Sequence, residues 1–399
     1  MRKLLLWAVA LGLFVYLLSP QWQSLDRMGE RRFAVLEHHP KELLVGVSWP
    51  FAVRRDGMAD GLQLARDEIN AGALTGGPPI RLIMRDDLDD WETARDIAME
   101  FANTPEMSAV VGYDDDGVAI RASPIFEKSR LLHLCVNANS PAMTMHDYKY
   151  IVRTVQSTNK IAQFLAEAAA TGGKARRVAM VWEEDAYGKD LAYQFRIAQD
   201  ALGGQMVYQW PYPTEHTDFR LPVNQLKSVD ADVILISGHD AEIADFLRKA
   251  QSVGLTTPIL VASDLTSEIR QKAGSALANA QFLGLYDVAA ATPENLKFVE
   301  KFRARYGRDP DTSAAQGYDA LLLLAEAVRT TGSLNPLDLA FAIRFIPPWE
   351  GANGRYQFDG QGELMEKKLL LVAGSSKLLP EESHSPREEP KAPHTVRIR

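Results

Sequence analysis

The chain is long enough for about two or three domains, and its composition excludes several classes of protein. Its 399 residues are 46% hydrophobic and carry a formal net charge of −8, with acidic and basic residues interspersed. A nucleic-acid-binding protein needs a basic face, so this balance argues against such a partner. Cys135 is the single cysteine, which excludes an intrachain disulfide and a cysteine-ligated metal site.

The N-terminal segment has the composition of a signal peptide or a membrane anchor. Arg2 and Lys3 precede an apolar run over residues 4–18, and the next charge is Asp26. The bulky residues that end the run offer no small-x-small cleavage site, which favours an uncleaved anchor over residues 4–25. We therefore expect residues 1–25 to be a signal peptide or anchor and residues 26–42 to be a stalk. The rest of the chain would then be extracytoplasmic, anchored to the cytoplasmic membrane.

Short apolar runs then alternate with amphipathic helical segments. Nearly continuous apolar strands between such helices are typical of a parallel sheet that is covered on both faces. The pattern restarts at about residue 158, so the sequence predicts two successive α/β units. Further helices and two strands complete the second half. Residues 376–399 are rich in proline and charge and are expected to be disordered. The predicted strands lie at 43–49, 80–86, 108–113, 131–137, 176–183, 205–212, 232–238, 258–263 and 281–288.

The common motifs of catalysis and cofactor binding are missing from the sequence. It contains no G-x-G-x-x-G, no phosphate-binding G-x-x-x-x-G-K-[ST], no G-x-S-x-G and no H-E-x-x-H. His133 lies in an apolar strand and is expected to be a core residue. The sequence therefore predicts a protein that is not an enzyme and that has no cofactor and no metal.

Two acidic clusters follow predicted strands, at the sheet edge where open α/β proteins bind ligands. For Asp86–Asp90 we favour a solvated turn with a helix cap, because aspartate caps helices well. For Asp114–Asp116 a capping role and contact with a ligand are equally favoured.

A series of short strings resembles the type I periplasmic binding proteins of the branched-chain amino acid (leucine/isoleucine/valine-binding) family. Each string is weak alone, but their order and spacing from about residue 43 to 373 are specific. The strings include LLVGVSWP (43–50), DEINA (67–71), DDLDD (86–90), VVG (110–112), DAYG (185–188), YGRDP (306–310) and FDGQG (358–362).

The resemblance implies two Rossmann-like lobes with parallel-type sheets, joined by three crossovers around a buried ligand. Lobe 1 would comprise residues 43–155 and 288–354. Lobe 2 would comprise residues 156–287 and 355–375. The crossovers are expected near Thr154–Thr158, Tyr286–Ala290 and Gly354–Phe358.

The resemblance also implies ligand contacts at seven positions. Three stand where the family holds the carboxylate of an amino acid, three where it holds the ammonium, and one at the start of a helix in lobe 1. They are, in that order, Asp116, Asn137 and Asn139; Tyr187, His239 and Asp264; and Arg54, for which Arg55 is an alternative. Asp116 replaces a hydroxyl donor and would repel a ligand carboxylate, which favours a cationic or multiply hydrogen-bonding solute.

The function implied by the resemblance is the ligand-binding component of an ABC importer for amino acids or a related small polar solute, such as an amide or a cation. Binding would occur by hinge closure. Permease subunits, and the membrane through the N-terminal segment, would be its partners. The alternative is a membrane-tethered sensor that signals ligand occupancy to a partner protein. A lineage that kept the fold and lost the ligand is also compatible with the residues.

Overall fold

The computed structural model describes residues 20–38, 40–72, 77–170, 177–213 and 217–375. The predicted apolar anchor core over 4–18 and the predicted disordered tail over 376–399 lie outside these residues. The helices are α1 Pro20–Glu37, α2 Met58–Asn70, α3 Trp91–Ala102, α4 Asp116–Lys128, α5 Thr158–Ala169, α6 Ala186–Ala201, α7 Arg220–Leu226, α8 Asp240–Ser252, α9 Ser267–Ala273, α10 Pro293–Tyr306, α11 Thr312–Thr331 and α12 Pro336–Arg344. The strands are β1 Leu43–Trp49, β2 Ile80–Asp86, β3 Met107–Gly112, β4 Leu132–Cys135, β5 Ile151–Arg153, β6 Arg177–Glu183, β7 Gln205–Tyr212, β8 Val233–Ser237, β9 Ile259–Val261, β10 Ala280–Gly284, β11 Trp349–Gly351, β12 Gly354–Tyr356 and β13 Leu370–Ala373.

The strands form two main sheets, and the predicted α/β class with parallel-dominated sheets is confirmed. The first sheet has five parallel strands in the order β2-β1-β3-β4-β5. The second has six strands in the order β13-β10-β9-β8-β6-β7, and β13 is antiparallel to its neighbour. Strands β11 and β12 form a separate antiparallel hairpin. Each main sheet, with the helices that pack on it, is called a lobe below.

Lobe 1 is covered on both faces, which is why its central strands are apolar throughout. Helices α2, α10, α11 and α12 contribute to one core and α3 and α4 to the other. Helices α2 and α11 approach closely because Gly61 has no side chain. A Cβ at that position would lie 2.0 Å from the carbonyl oxygen of Ala314. Helix α11, from the C-terminal half of the chain, therefore packs directly against α2 from the N-terminal part.

Lobe 2 has the same layered construction. Helices α5 and α6 pack on one face of the second sheet, where Leu165 and Phe195 join Met180 in the core. Helices α7, α8 and α9 cover the other face, where Phe246 packs with Ile236. Parallel strands buried on both faces place all their carboxyl ends at one edge, and the cleft forms at that edge.

The segment that the sequence predicts as a stalk is instead largely a helix docked on lobe 1. Leu25 and Leu36 on α1 are 1% and 2% exposed. Arg32 is fully buried and donates hydrogen bonds to the carbonyls of Met107 at 3.0 Å and Ala102 at 2.8 Å, as well as to that of Ser129. Arg32, whose charge suggests a solvated stalk in the sequence, is thus a buried hydrogen-bond donor to backbone carbonyl oxygens. None of the helices in the described ranges is both long and apolar enough to cross a membrane.

The chain passes between the lobes three times. The first passage links β5 to α5 and the second links β10 to α10, close to the predicted positions. The third lies later than predicted, because Phe358 and Leu364 still belong to the lobe 1 core. Glu363 also pairs with the buried Arg153. Residues 355–364, predicted to belong to lobe 2, therefore pack on lobe 1.

Candidate ligand-binding cleft

A cleft lies where the carboxyl ends of the strands of the two lobes face each other. The N-termini of α4 in lobe 1 and α6 in lobe 2 meet across it. A Cβ placed on Gly117 would lie 3.7 Å from the Cβ of Ala186. Ligands of open α/β sheets bind at such an edge, so each predicted contact can be placed relative to this cleft.

Asp116 is the first residue of α4 and is 3% exposed. Its Oδ1 accepts hydrogen bonds from the backbone N–H groups of Asn139 at 2.5 Å and Ser140 at 3.1 Å. Its Oδ2 is buried and has no protein partner among the described residues. Burial raises the pKa of Asp116 to about 7, although the two N–H donors act in the opposite sense.

Arg54 and Asn137 converge on one carboxylate in lobe 1. Arg54 Nη1 lies 2.8 Å from Asp114 Oδ2, and the Asn137 amide donates to Asp114 Oδ1 at 2.6 Å. Asp56 lies 3.4 Å from Arg54 Nε. Burial by itself would lower the pKa of Arg54, but these carboxylates outweigh it and raise the pKa. The guanidinium is therefore charged and already neutralised by its neighbours.

Tyr187 and Asp264 lie together at the edge of lobe 2. The Tyr187 hydroxyl donates to the carbonyl of Ala262 at 3.1 Å. Asp264 Oδ1 accepts a hydrogen bond from the N–H of Leu285 at 3.0 Å. Burial raises the pKa of Asp264 to about 6, while the hydrogen bond to Leu285 and the charge of Arg54 lower it.

His239 directly precedes α8 and pairs with a buried carboxylate that sequence reasoning missed. Its Nδ1 lies 2.7 Å from Glu183 Oε2, and its backbone N–H donates to the same oxygen at 3.2 Å. The hydrogen bond to Glu183 raises the pKa of His239 to about 9. Glu183, Asp185 and His239 each offer a ligand atom within 4.8 Å of the others, so they could hold a cation.

Asn139 is placed differently from the expected contact. Its side-chain amide nitrogen donates to the backbone carbonyl of Gln156 at 2.6 Å, and its backbone carbonyl accepts from the N–H of Thr158 at 2.9 Å. The side chain thus holds the first passage between the lobes and does not offer its N–H groups to the cleft.

The two acidic clusters have the roles that their positions indicate. In the first, Asp90 caps α3 by accepting from the N–H of Thr93 at 2.8 Å, as predicted. The turn is not solvated throughout as predicted, because Asp87 is 2% exposed and accepts from Ser48 Oγ at 2.8 Å. In the second, Asp115 caps α4 through the N–H of Val118 at 2.8 Å. Asp114 and Asp116 are the members of that cluster with no capping bond on α4.

Charges from opposite lobes act on one another across the cleft. Burial raises the pKa of Tyr187, and Asp116 on the other lobe adds to that rise. The charge of Asp89 in lobe 1 likewise helps to raise the pKa of His239 in lobe 2. The carboxyl groups outnumber the cations, which are Arg54, His239, the buried Arg153 that acts on Asp116, and Arg121, whose Nη2 lies beside Gly117. These carboxyl groups are Asp89, Asp114, Asp115, Asp116, Glu183, Asp185, Asp240 and Asp264.

Glu183, Asp185, Asp240 and Asp89 are the cleft residues that the sequence reasoning did not single out as contacts. A signal for them was present, because each follows or ends a strand at its carboxyl end. The rule that ligands bind at that edge would have included Glu183, the last residue of β6, and Asp240, which follows β8.

Two α/β lobes whose strand ends enclose a polar cleft define a solute-binding protein. The chain belongs to the periplasmic binding protein family, whose model matches residues 43–377. The Leu/Ile/Val-binding protein homolog 1 of Brucella melitensis is 24% identical over 328 residues, which is 81% of this chain and 87% of that protein.

Solved structures give the same result. An ABC transporter substrate-binding protein from Desulfitobacterium hafniense in complex with Leu is 29% identical, with a TM-score of 0.75 over 85% of this chain and all of that one. A leucine binding protein from Thermotoga maritima is 25% identical, with a TM-score of 0.76 over 85% and 98% of the two chains. This chain is therefore a periplasmic binding protein, and the proteins it resembles include substrate-binding proteins of ABC transporters.

Proposed function

We propose that this chain is the extracytoplasmic ligand-binding component of an ABC importer, and that it closes its two lobes around a small solute bearing a positive charge. One observation carries the proposal: both lobes present carboxyl groups to the same cleft, and these exceed the neighbouring cations. A solute with an ammonium group would be attracted to this site, whereas a simple anion would be repelled. Amino acids and small polyamines belong to this class, whereas simple amides are neutral and fall outside it.

Asp116 is the residue that most favours a cation. Its Oδ2 is buried without a protein partner, and a ligand N–H could donate to it. A ligand carboxylate at the same position would face both this oxygen and the nearby Asp114. Leucine, which is bound by the Desulfitobacterium relative, carries an ammonium and a carboxylate. In this cleft the ammonium would be attracted to the carboxyl groups and the carboxylate would be repelled by them.

Lobe closure is supported by the contacts that already span the cleft. The α4 and α6 N-termini approach at Gly117 and Ala186, and Arg54 in lobe 1 acts on Asp264 in lobe 2. A ligand that contacts both edges binds the closed form better than the open form, and so shifts the population toward closure.

The test is isothermal titration calorimetry on the full-length protein in detergent, with L-lysine, putrescine, L-leucine and acetamide as titrants. We expect the cations to bind and the D264N variant to lose at least about tenfold in affinity, equivalent to 1.4 kcal/mol. The D230N variant is the matched control, because the Asp230 side chain is 91% exposed and distant from the cleft edge. Equal losses in D230N and D264N, or no binding of any cation, would remove the proposal.

Membrane tethering is a second part of the proposal, and the docked helix α1 favours it. The apolar run over 4–18 ends just before α1, and the buried Arg32 fixes α1 to lobe 1. A retained anchor would therefore hold lobe 1 in one orientation, which suits either an importer component or a sensor that signals to a partner. Fractionation of expressing cells, followed by N-terminal sequencing, tests this. A soluble mature chain that starts beyond residue 18 would overturn it.

A further inference from the structure

A cavity of about 870 Å³ lies where the chain passes between the lobes. Residues of all three passages line it: Gln156 from the first, Leu285–Asp287 and Ala289–Thr292 from the second, and Met365–Leu370 from the third. The β11–β12 turn and one side of α5 complete the wall. None of the seven predicted ligand contacts belongs to this lining. Asn139 and Asp264 hydrogen-bond to the backbone of Gln156 and Leu285 in its wall, so the cavity adjoins the cleft without sharing its predicted contacts.

Three buried polar atoms in this lining have no hydrogen-bond partner among the described residues. They are Nζ of Lys367, Nδ2 of Asn353 and Oε1 of Gln156. Gln156 is 4% exposed and Asn353 is 7% exposed. Buried polar groups in native proteins are nearly always paired, so three orphaned atoms in one cavity indicate a site for a polar molecule.

Local contacts fix how these three groups are presented. Gln156 Nε2 donates to the carbonyl of Lys367 at 3.3 Å, which leaves Oε1 as the free acceptor. Lys367 Nζ lies 3.7 Å from the ring centroid of Tyr356. Asp319 is the carboxyl group whose charge influences this amine. Its two oxygens accept hydrogen bonds from the backbone N–H groups of Ala352 and Asn353, each at 2.7 Å.

Lys367 therefore presents an amine whose charge no protein oxygen contacts. Burial lowers its pKa, and the charge of Asp319 offsets part of that fall. An anion beside the amine would supply the missing partner. The exposed rim is mixed in charge, with Lys160, Arg355 and Lys368 opposite Glu167, Asp287 and Glu366, and so does not exclude an anion.

We propose that this hinge cavity binds a small 2-hydroxy carboxylic acid. Its carboxylate would accept hydrogen bonds from Lys367 Nζ and Asn353 Nδ2, and its hydroxyl would donate to Gln156 Oε1. Its hydrocarbon part would pack on Phe164, Leu285 and Leu369, which also line the cavity. The volume lies within the range of about 300–1,000 Å³ that is usual for small-molecule sites.

Occupancy of this cavity is coupled to the angle between the lobes. Its walls come from both lobes and from every passage between them, so a rotation of one lobe changes the distances among the three orphaned atoms. A molecule bound here favours one lobe arrangement, and by linkage it changes the affinity of the cleft for its own ligand. The inference does not depend on the identity of the cleft ligand.

The experiment compares sodium lactate with sodium propionate, which lacks the hydroxyl, by calorimetry on the full-length protein. We expect lactate to bind at least about fivefold more tightly than propionate, and the K367M variant to lose at least about tenfold in lactate affinity. The K368M variant is the control, because the Lys368 side chain is exposed at the rim and should retain lactate binding.

K367M is expected to fold, because methionine replaces an unpaired buried amine with an apolar chain of similar length. Circular dichroism and the melting temperature check this. If it does not fold, Q156L decides the matter, since the preference for lactate over propionate should vanish in that variant. Lactate affinity unchanged in folded K367M, a preference unchanged in Q156L, or no lactate binding to the wild type would each overturn the proposal.

Discussion

The two lobes meet the cleft with different chemistry. In lobe 1 the acidic groups are held mainly by backbone N–H groups, as Asp116 is by Asn139 and Ser140. The cation of that lobe, Arg54, is charged at any physiological pH. Each lobe pairs an acid with a cation, Asp114 with Arg54 in lobe 1 and Glu183 with His239 in lobe 2, but only the cation of lobe 2 is a histidine that can lose its charge. Both surfaces change with pH, but over different ranges: lobe 1 changes through Asp116, whose pKa is raised to about 7, and lobe 2 through His239, whose pKa is raised to about 9.

The lobes also differ in how each is completed by a terminal part of the chain. Lobe 1 gains α1, which the buried Arg32 holds through several carbonyl oxygens. Lobe 2 gains β13, an edge strand whose residues are half-buried or exposed. A few strong internal contacts secure the first addition, and a ladder of backbone hydrogen bonds secures the second. We therefore expect point substitutions to damage lobe 1 more severely.

The largest effect is expected for Arg32→Met. The variant leaves buried carbonyl groups without a donor, and we expect the free energy of unfolding to fall by about 3–5 kcal/mol. Urea unfolding of the full-length protein measures the change. Arg31→Met is the matched control, because the neighbouring Arg31 is exposed. A loss in Arg32→Met no larger than in the control would contradict a docked α1.

Asp116 provides the next test, through a pair of substitutions. Asp116→Ala removes the acceptor for two buried N–H groups and should cost about 1–3 kcal/mol, whereas Asp116→Asn keeps an acceptor and should cost much less. Because the pKa of Asp116 is raised to about 7, its stabilising contribution is complete below its ordinary value and falls as the pH rises toward 7.

Urea unfolding at about pH 4 and about pH 7.5, two values on either side of the raised pKa of Asp116, would measure how much of the pH dependence of stability comes from that group. The wild type should lose more stability than Asp116→Asn between the two conditions. An identical loss in both proteins would mean that Asp116 is not the titrating group.

The smallest effect is expected for His239→Gln in lobe 2. The pKa of His239 is raised to about 9, so its pairing with Glu183 is complete below about pH 6.5 and is lost as the pH rises toward 9. The His239 side chain is half exposed, and after screening by solvent we expect about 1 kcal/mol. Thermal unfolding between those pH values should show a loss in the wild type that the variant lacks. A variant with the same pH dependence as the wild type would show that the pair contributes nothing.

Sequence patterns predicted most of the framework, because alternation of buried strands and amphipathic helices leaves a periodic signal. They did not predict the docking of α1, since Arg32 looks like a solvent-exposed charge and its carbonyl partners come from distant segments. The position of the third passage was also wrong, because Phe358 and Leu364 could have packed on either lobe. The local sequence pattern does not indicate on which lobe these two side chains pack.

The predicted contacts divide in the same way. Asp116, Tyr187 and Asp264 lie at the cleft because strand ends fix where they go. Asn139 lies on the same loop as expected, but its amide turns to the carbonyl of Gln156, a contact that depends on the course of the first passage. Side-chain direction within a loop depends on such tertiary contacts, and a sequence motif does not specify it.

The most direct test of the central claim is small-angle X-ray scattering of the full-length protein in detergent, with L-lysine and with succinate added separately. The account predicts that L-lysine reduces the radius of gyration, because a cation bound to the carboxyl groups of both lobes stabilises the closed form. Succinate should leave it unchanged. A decrease with succinate and none with L-lysine or putrescine would contradict the account.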